Sequence, residues 1–223
     1  MSKYLLFDAD GTLYDFGATE KIVLKELFDR YSIPYSDENI SLYHKANDYC
    51  WREYESGRMT QEHLKGYRFT RFLELLGLDL DGNKLGEDFI TMLSENGIMI
   101  DGAVDFLESI KDMRKSMITN GIAKVQRGRI TGTDTRVYFE HLFISEELHS
   151  NKPHKEYFDK VLDALKMSPN ECLVIGDSEN SDIQGAINAG IDSVYINFNG
   201  IRSDKATYSV SSYDELYKLL RSL

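Results

Sequence analysis

Cysteine, long apolar runs and basic charge are all scarce in this sequence of 223 residues. Its two cysteines, Cys50 and Cys172, form no CxxC motif and no pairing pattern, which argues against a redox role or a zinc site. No apolar run approaches the roughly 20 residues of a membrane helix. The apolar run before Asp8 is too short for a signal peptide. We therefore expect a soluble, cytoplasmic protein with no membrane partner.

Basic residues are outnumbered by acidic ones, 26 against 37, and the formal net charge is -11. An acidic surface repels a phosphate backbone, so we expect no nucleic acid polymer as a partner. A small anionic substrate is still allowed, because a bound divalent cation can reverse the local field. Internal repeats, low-complexity tracts and long charge blocks are also absent. The length suits either one large domain or a core with a smaller companion.

Short β-type runs that end in polar loops recur along the chain, and helical patterns lie between most of them. The predicted strands are Lys3–Phe7, Ser116–Ile118, Leu142–Ile144, Cys172–Ile175, Ser193–Ile196 and Thr207–Val210. Alternation of helices with nearly continuous apolar strands is typical of a parallel sheet that is covered on both faces. The sequence therefore predicts an α/β fold with a Rossmann-like parallel sheet as its core.

A long segment without a convincing strand separates the first predicted strand from the second. It carries at least four helical patterns instead, over Thr19–Tyr31, Asp37–Glu55, Gln61–Leu76 and Leu85–Glu95. An insert at this point would lie over the carboxyl ends of the strands, where open α/β proteins bind ligands. We predict a catalytic core formed by residues 1–13 and 99–223, and an inserted helical cap domain over residues 14–98.

The first predicted strand ends in two closely spaced carboxylates, Asp8 and Asp10, followed by Gly11 and Thr12. Gly11 can supply the turn that brings both carboxylates into a cleft. Because two nearby carboxylates repel each other, they need a shared proton or a cation, and Mg²⁺ prefers oxygen ligands. One carboxylate could then act as a nucleophile and the other as a proton shuttle. Taken alone, the same residues could be an acidic turn after an edge strand.

Three further motifs follow predicted strands or open helices. After the second strand, Thr119 and Asn120 offer a hydroxyl and loop amides that could hold a phosphate. Lys152 stands directly before a proline and a helical pattern, although most lysines are solvated. Asp177, after the fourth strand, adds an oxygen ligand if the first and fourth strands are neighbours. Asp182 could be a ligand or only an acidic residue at the start of a helix.

These motifs, in this order and at these spacings, resemble those of the haloacid dehalogenase superfamily. The resemblance covers essentially the whole chain, including the helical insert after the first motif, which is similar to the cap of that superfamily. It implies a Mg²⁺-dependent phosphomonoester hydrolase with an aspartyl-phosphate intermediate. Asp8 matches the nucleophile and a metal ligand, and Asp10 matches the general acid and base whose carbonyl also binds the metal. Dehalogenases of the superfamily lack the second aspartate, which argues against that activity here.

The resemblance also implies roles for the residues of the later motifs. Thr119 and the backbone amide of Asn120 match the groups that hold the phosphate. Lys152 matches the lysine that offsets the charge of the nucleophile and the phosphoryl group. Asp177 matches a metal ligand, and Asp182 matches an accessory metal ligand.

Within the superfamily, several stretches resemble those of bacterial pyrimidine 5'-nucleotidases, namely residues 5–10, 118–121, 144–147 and 181–190. This implies a small phosphorylated substrate, a nucleoside 5'-monophosphate. Trp51 is the candidate for stacking on the base, although an aromatic residue at helical spacing can equally be a core residue. Asn47 and Arg68 could bond the edge of a base.

Alternatives to a nucleotidase remain open at this level. A sugar-phosphate phosphatase or a phosphomutase of the same superfamily would use the same motifs. A non-enzymatic module could use the acidic residues to sense Mg²⁺ or phosphate, and a scaffold would need degraded motifs, which this sequence does not have. We expect a monomer or a small homo-oligomer.

Overall fold

A parallel β-sheet organises the chain, which a computed structural model describes over residues 3–223. Within these residues the sheet has six strands in the order β3-β2-β1-β4-β5-β6, and every neighbouring pair is parallel. The strands are β1 (Tyr4–Phe7), β2 (Lys115–Thr119), β3 (Leu142–Ile144), β4 (Cys172–Gly176), β5 (Asp192–Ile196) and β6 (Tyr208–Val210). The predicted α/β fold is confirmed, and each predicted strand coincides with an observed one to within two residues at either end.

The central strand β1 pairs with β2 on one side and with β4 on the other, so that Phe7 lies opposite Met117 and Ile175. Its side chains alternate between two hydrophobic clusters: Leu5 and Phe7 belong to one, and Tyr4 and Leu6 belong to the other. This two-sided burial is why the strand lacks a polar alternation in its sequence. Because β1 is parallel to both β2 and β4, the carboxyl ends of these three strands meet at one edge of the sheet.

Helices occupy most of the remaining described residues. Their bounds are α1 (Phe16–Arg30), α2 (Asp37–Glu55), α3 (Gln61–Leu76), α4 (Gly82–Glu95), α5 (Ala103–Ser109), α6 (Ala123–Gly132), α7 (Ser145–Leu148), α8 (Lys155–Leu165), α9 (Gln184–Ala189) and α10 (Tyr213–Ser222). A short π-helical turn, Glu179–Ile183, leads from β4 into α9. Among the residues described, no helix is both long and apolar enough to cross a membrane.

Local signals define the helices of the long insert. The hydroxyls of Ser36 and Thr60 accept hydrogen bonds from backbone amides in the first turns of α2 and α3. Gly77 ends α3 in the left-handed conformation, with φ of 67°. These caps explain why the predicted bounds of α2 and α3 agree with the observed ones.

The packing divides the chain into two compact units. One comprises the described residues up to Phe16 together with Gly97–Ala123 and Ile130–Leu223, and we call it the sheet unit. The other, the helical unit, comprises Gly17–Asn96 and Lys124–Arg129. The domain boundaries predicted from the sequence stay a prediction.

Helix α6 was not among the predicted helices, because its two glycines, Gly128 and Gly132, weaken the helical pattern. Part of it packs within the helical unit at very close range. A Cβ atom on Gly128 would lie 2.3 Å from the carbonyl oxygen of Ser94 at the end of α4. The glycine is therefore required by a tertiary contact that no local pattern reveals.

Candidate active site

Two of the predicted acidic residues lie at the ends of neighbouring strands. Asp8 follows β1, is 7% exposed, and its backbone N–H donates a 2.8 Å hydrogen bond to the carbonyl of Ile175 in β4. Asp177 follows β4 directly. Because β1 and β4 are neighbours, the condition that the sequence left open for Asp177 is met.

Lys152 is buried between two carboxylates at the edge of the sheet where the strands have their carboxyl ends. Its Nζ lies 2.5 Å from Oδ1 of Asp8 and 2.7 Å from Oδ1 of Asp182, and it also donates to the carbonyl of Ile118 at 3.3 Å. Burial lowers the pKa of Lys152, but the charges of Asp182 and Asp8 outweigh burial and raise the pKa above its usual range. The side chain is therefore a permanent cation within the site.

Asp8, Asp177 and Asp182 form a group of three carboxylates whose oxygens lie within 4.8 Å of one another. Burial and the charges of Asp182 and Asp177 raise the pKa of Asp8 well above its usual range, against the opposing effect of Lys152. Burial and the charge of Asp182 raise the pKa of Asp177 to about 7. One lysine thus does not neutralise the three acids.

This uncompensated negative charge, presented by oxygen atoms alone, fits a hard divalent cation such as Mg²⁺. Asp8 and Asp177 are the residues that would hold it, since each is placed at the open end of a strand. The side chain of Asp10 lies outside this group of carboxylates in the described chain.

Asp182 is fully buried, and protein donors occupy both of its oxygens. Oδ1 accepts from Lys152, and Oδ2 accepts a 3.1 Å hydrogen bond from the backbone N–H of Ser178. Gly176 permits this approach, since a Cβ there would lie 2.3 Å from Oδ2 of Asp182. These contacts favour Asp182 as a residue that orients Lys152, and its role as an accessory metal ligand stays a prediction.

The turn after Asp10 depends on Gly11, as the sequence predicts. Gly11 has a φ of 79°, which favours glycine, and its N–H donates to the carbonyl of Tyr14 at 2.9 Å. A Cβ at this position would lie 2.2 Å from Oδ2 of Asp177. The absent side chain therefore makes room for the carboxylate of Asp177 beside the turn.

Thr119 ends β2 as a buried residue whose hydroxyl accepts a 2.9 Å hydrogen bond from the N–H of Gly121. That bond leaves the hydroxyl proton available for a phosphate oxygen. The backbone N–H of Thr119 donates to the hydroxyl of Tyr157 at 3.1 Å, and Tyr157 donates to the carbonyl of Phe143 at 2.9 Å. Tyr157 was missed by sequence analysis, because an aromatic residue in the first turn of α8 has the pattern of an ordinary core position.

The side chain of Asn120 binds the segment that carries the lysine. Its Nδ2 donates to the carbonyl of Lys152 at 2.8 Å, and its Oδ1 accepts from the N–H of Lys152 at 2.9 Å. The sequence pointed only to the backbone amide of Asn120. The side chain thus joins the end of β2 to Lys152.

Trp51 belongs to the helical unit and is half-buried on α2. Its ring contacts that of Tyr54 edge to face at 5.7 Å, and it packs against the cluster that contains Cys50 and Leu64. It also lines an open groove along α2 with His44 and Asp48. The stacking role of Trp51 stays a prediction.

Replacing Asp177 with asparagine is expected to stabilise the metal-free protein above neutral pH. The pKa of Asp177 is raised from 3.8 to about 7, so the folded state binds the proton more tightly than the unfolded state does. The stability that this proton contributes is fully present below about pH 4 and is lost as the pH rises through 7. Thermal unfolding in EDTA should show a Tm for Asp177→Asn about 2–6 °C above that of the wild type at pH 8, and a smaller difference at pH 5.

Added Mg²⁺ should reverse the order of the two melting temperatures, because the wild type keeps the carboxylate that Asp177→Asn lacks. We expect added Mg²⁺ to raise the Tm of the wild type at pH 8 and to have little effect on Asp177→Asn. Asp163→Asn, at an exposed position on α8, is the matched control and should behave as the wild type. Equal Mg²⁺ stabilisation of Asp177→Asn and the wild type would remove Asp177 from the metal site.

Comparison with known proteins identifies relatives that match nearly the whole chain. The family model of the haloacid dehalogenase-like hydrolases matches residues 3–190. Pyrimidine 5'-nucleotidase PynA of Streptococcus pneumoniae is 33% identical over 98% of this chain and 94% of the relative. Pyrimidine 5'-nucleotidase YjjG of Escherichia coli is 35% identical over 97% of each chain.

A solved structure of the same family is similar over nearly its whole length. It is that of the HAD-hydrolase YfnB from Bacillus subtilis, described as bound to magnesium and as revealing interdomain movement. The two chains are 32% identical, the TM-score is 0.93, and the match covers 99% of each.

Proposed function

This chain belongs to the haloacid dehalogenase-like hydrolase family, and on that premise we propose that it hydrolyses nucleoside 5'-monophosphates with Mg²⁺ through an aspartyl-phosphate. The family and its relatives make the chain a phosphoric monoester hydrolase. The observation that supports the proposed mechanism is the placement of Asp8 at the end of β1, bonded to a buried lysine and grouped with two further carboxylates.

In the first half of the reaction, an oxygen of Asp8 attacks the phosphorus in line with the leaving oxygen. Lys152 holds Oδ1 of Asp8, which leaves Oδ2 as the attacking atom. Bound Mg²⁺ would supply neutralising charge for the carboxylate and the phosphoryl oxygens. The hydroxyl of Thr119 donates to a phosphoryl oxygen, and Asp10 gives its proton to the departing alkoxide.

In the second half, Asp10 removes a proton from a water molecule, and that water attacks the phosphorus of the acyl phosphate. The bond between phosphorus and Asp8 breaks, which releases inorganic phosphate and restores the carboxylate. Asp10 ends protonated, as it began, so the cycle is balanced. Asp182 and Asn120 act through Lys152, which they hold by its Nζ and its backbone.

The nucleotide preference is supported by the names of two relatives, each 33–35% identical over nearly the whole chain. The residues at the sheet edge contact only the phosphate, the metal and the bridging oxygen in this mechanism. They cannot distinguish one leaving group from another. We therefore assign substrate choice to the helical unit, with pyrimidine nucleotides preferred over purine nucleotides.

Phosphate release from p-nitrophenyl phosphate, with Mg²⁺ and with EDTA, tests the phosphatase proposal directly. We expect turnover that EDTA abolishes and Mg²⁺ restores. A panel of dUMP, dCMP, dAMP and sugar phosphates then tests the nucleotide proposal. If a sugar phosphate were preferred over every nucleotide, the nucleotide proposal would be wrong and only the phosphatase proposal would stand. Interconversion of sugar phosphate isomers without phosphate release would identify a phosphomutase. Binding of Mg²⁺ and phosphate without any turnover would identify a sensing module.

Replacing Trp51 with leucine is expected to lower kcat/KM for dUMP by roughly ten- to a hundredfold, the effect expected when one base loses its stacking partner. Activity toward p-nitrophenyl phosphate should stay within twofold, because that substrate has no base. Steady-state kinetics with both substrates measure the difference.

Tyr49→Leu is the matched control for this variant. Tyr49 is half-buried on the same helix and packs against the same cluster, but it is not among the residues that line the groove. If Trp51→Leu lowers both activities together, or lowers the Tm as Tyr49→Leu does, then Trp51 is a core residue.

A further inference from the structure

Arg68 on α3 is a buried cation whose hydrogen-bonding capacity is largely unused within the described chain. It is 1% exposed, and its Nη1 donates to Oδ1 of Asn47 at 3.2 Å. Its Nε and Nη2 are buried and have no hydrogen-bond partner among residues 3–223. Buried donors without partners cost free energy and are uncommon in native proteins, so these two atoms call for an explanation.

Aromatic rings hold the guanidinium group of Arg68 in place. Its central carbon lies 4.8 Å from the ring centre of Phe89 and 5.4 Å from that of Phe69. Nε and Nη2 share one edge of the planar group, and their N–H bonds run parallel. This edge can therefore bind two neighbouring acceptors, or one acceptor from both donors.

The charges near Arg68 indicate which kind of acceptor fits. Glu20 is buried, accepts from the hydroxyl of Tyr43 at 3.1 Å, and lies 3.7 Å from Nδ1 of His44. Burial raises the pKa of Glu20, while His44, the Tyr43 hydrogen bond and Arg68 oppose that effect. Because a carboxylate already accompanies the guanidinium, a second buried anion is disfavoured and a neutral carbonyl group is favoured.

This cluster and the groove of Trp51 along α2 share one residue. His44 belongs to both, because it contacts Glu20 and lines the groove. Asn47, which holds Nη1 of Arg68, precedes Trp51 by one helical turn, so the two residues lie on the same side of α2.

We propose that Arg68 is a specificity-determining residue whose Nε and Nη2 bind the carbonyl edge of a pyrimidine base; the proposal rests on the nucleotidase function proposed above. Cytosine presents a carbonyl oxygen beside a ring nitrogen, which are two adjacent acceptors. Uracil presents a carbonyl oxygen on either side of its ring N–H. Adenine presents an amino group beside its ring nitrogens, and this group would oppose the donors of Arg68. The inference selects uracil and cytosine over adenine.

Arg68→Met tests the proposal, with kcat/KM measured for dUMP, dCMP, dAMP and p-nitrophenyl phosphate together with the Tm. We expect kcat/KM to fall about 10- to 100-fold for dUMP and dCMP, the discrimination that a bidentate arginine provides. It should change by less than about threefold for the other two substrates. The Tm should change by no more than about 4 °C, because the variant also removes two unpaired buried donors.

Arg71→Met is the matched control, since Arg71 lies on the same helix and its guanidinium stacks on the ring of Tyr49 at 4.1 Å. It should leave all four kcat/KM values unchanged. Arg68→Lys keeps the charge but loses the parallel donors, and we expect it to lose the preference for dUMP and dCMP over dAMP as well.

Two outcomes would overturn the role proposed for Arg68, and a third would instead disprove the nucleotidase function on which it rests. A parallel fall for all four substrates, or an unchanged ratio of dUMP to dAMP in folded Arg68→Met, makes Arg68 a structural residue. If Arg68→Met does not fold, the ratio in Arg68→Lys decides, and an unchanged ratio there has the same meaning. A wild type that hydrolyses p-nitrophenyl phosphate but no nucleotide disproves the nucleotidase function itself, before any variant is compared.

Discussion

Asp8→Asn is expected to abolish phosphate release while leaving the fold intact. An amide cannot form the acyl phosphate at a useful rate, and loss of a nucleophile costs at least about a thousandfold in kcat. The asparagine oxygen can still accept the hydrogen bond from Lys152, and the substitution removes one of three crowded carboxylates. We therefore expect an unchanged or slightly raised Tm. The measurements are p-nitrophenyl phosphate turnover and thermal unfolding on the same preparation.

Asp163→Asn, the same change at an exposed position of α8, should retain full activity. Asp10→Asn should also be inactive, but for a different reason, because it leaves the nucleophile in place and slows the hydrolytic half. Mass spectrometry of Asp10→Asn after brief exposure to p-nitrophenyl phosphate, whose leaving group departs without a proton from Asp10, should then detect a phosphorylated protein, and Asp8→Asn should give none. More than a few per cent of activity in Asp8→Asn would rule out Asp8 as the nucleophile.

Lys152→Met should cause the largest loss of stability among these variants, together with a loss of activity of at least about a hundredfold. Removing one partner of a buried ion pair leaves the other charge uncompensated, at a cost of about 3–5 kcal/mol. Here the cation contacts two buried carboxylates, at 2.5 Å and 2.7 Å. Urea unfolding at pH 8 should show this difference.

The destabilisation should shrink as the pH falls. Lys152 opposes the burial and repulsion that raise the pKa of Asp8, so its removal raises that pKa further. A carboxyl group with a raised folded-state pKa contributes stability at low pH and loses it as the pH rises. The free-energy difference between Lys152→Met and the wild type should therefore be smaller at pH 5 than at pH 8.

Lys155→Met is the control for the loss of a lysine near the same helix start. Its Nζ lies 2.5 Å from Asp159, but the two side chains are 60% and 46% exposed, so we expect an effect below about 0.5 kcal/mol. If Lys152→Met and Lys155→Met were equally stable at pH 8, the charge of Lys152 would not be compensating the buried acids.

Most of the fold could be predicted because its signals are local. Two-sided burial makes β1 and β4 continuous apolar runs, and the caps at Ser36 and Thr60 mark where α2 and α3 begin. The candidate residues at strand ends could also be predicted, since parallel strands deliver their carboxyl ends to one edge. Helix α6 was not predicted because Gly128 weakens its helical pattern. This glycine is required by the close contact with the carbonyl oxygen of Ser94, which is distant in the sequence.

The sequence by itself determined the α/β class, the order of the motifs and the carboxylates that end β1 and β4. Only the tertiary structure decided what surrounds them. Lys152 is a buried cation because it meets Asp8, 144 positions away. Nε and Nη2 of Arg68 are buried without a hydrogen-bond partner among residues 3–223 because the guanidinium lies against the ring of Phe89. Burial and hydrogen-bond partners depend on residues far apart in the chain, and no pattern of neighbouring residues specifies them.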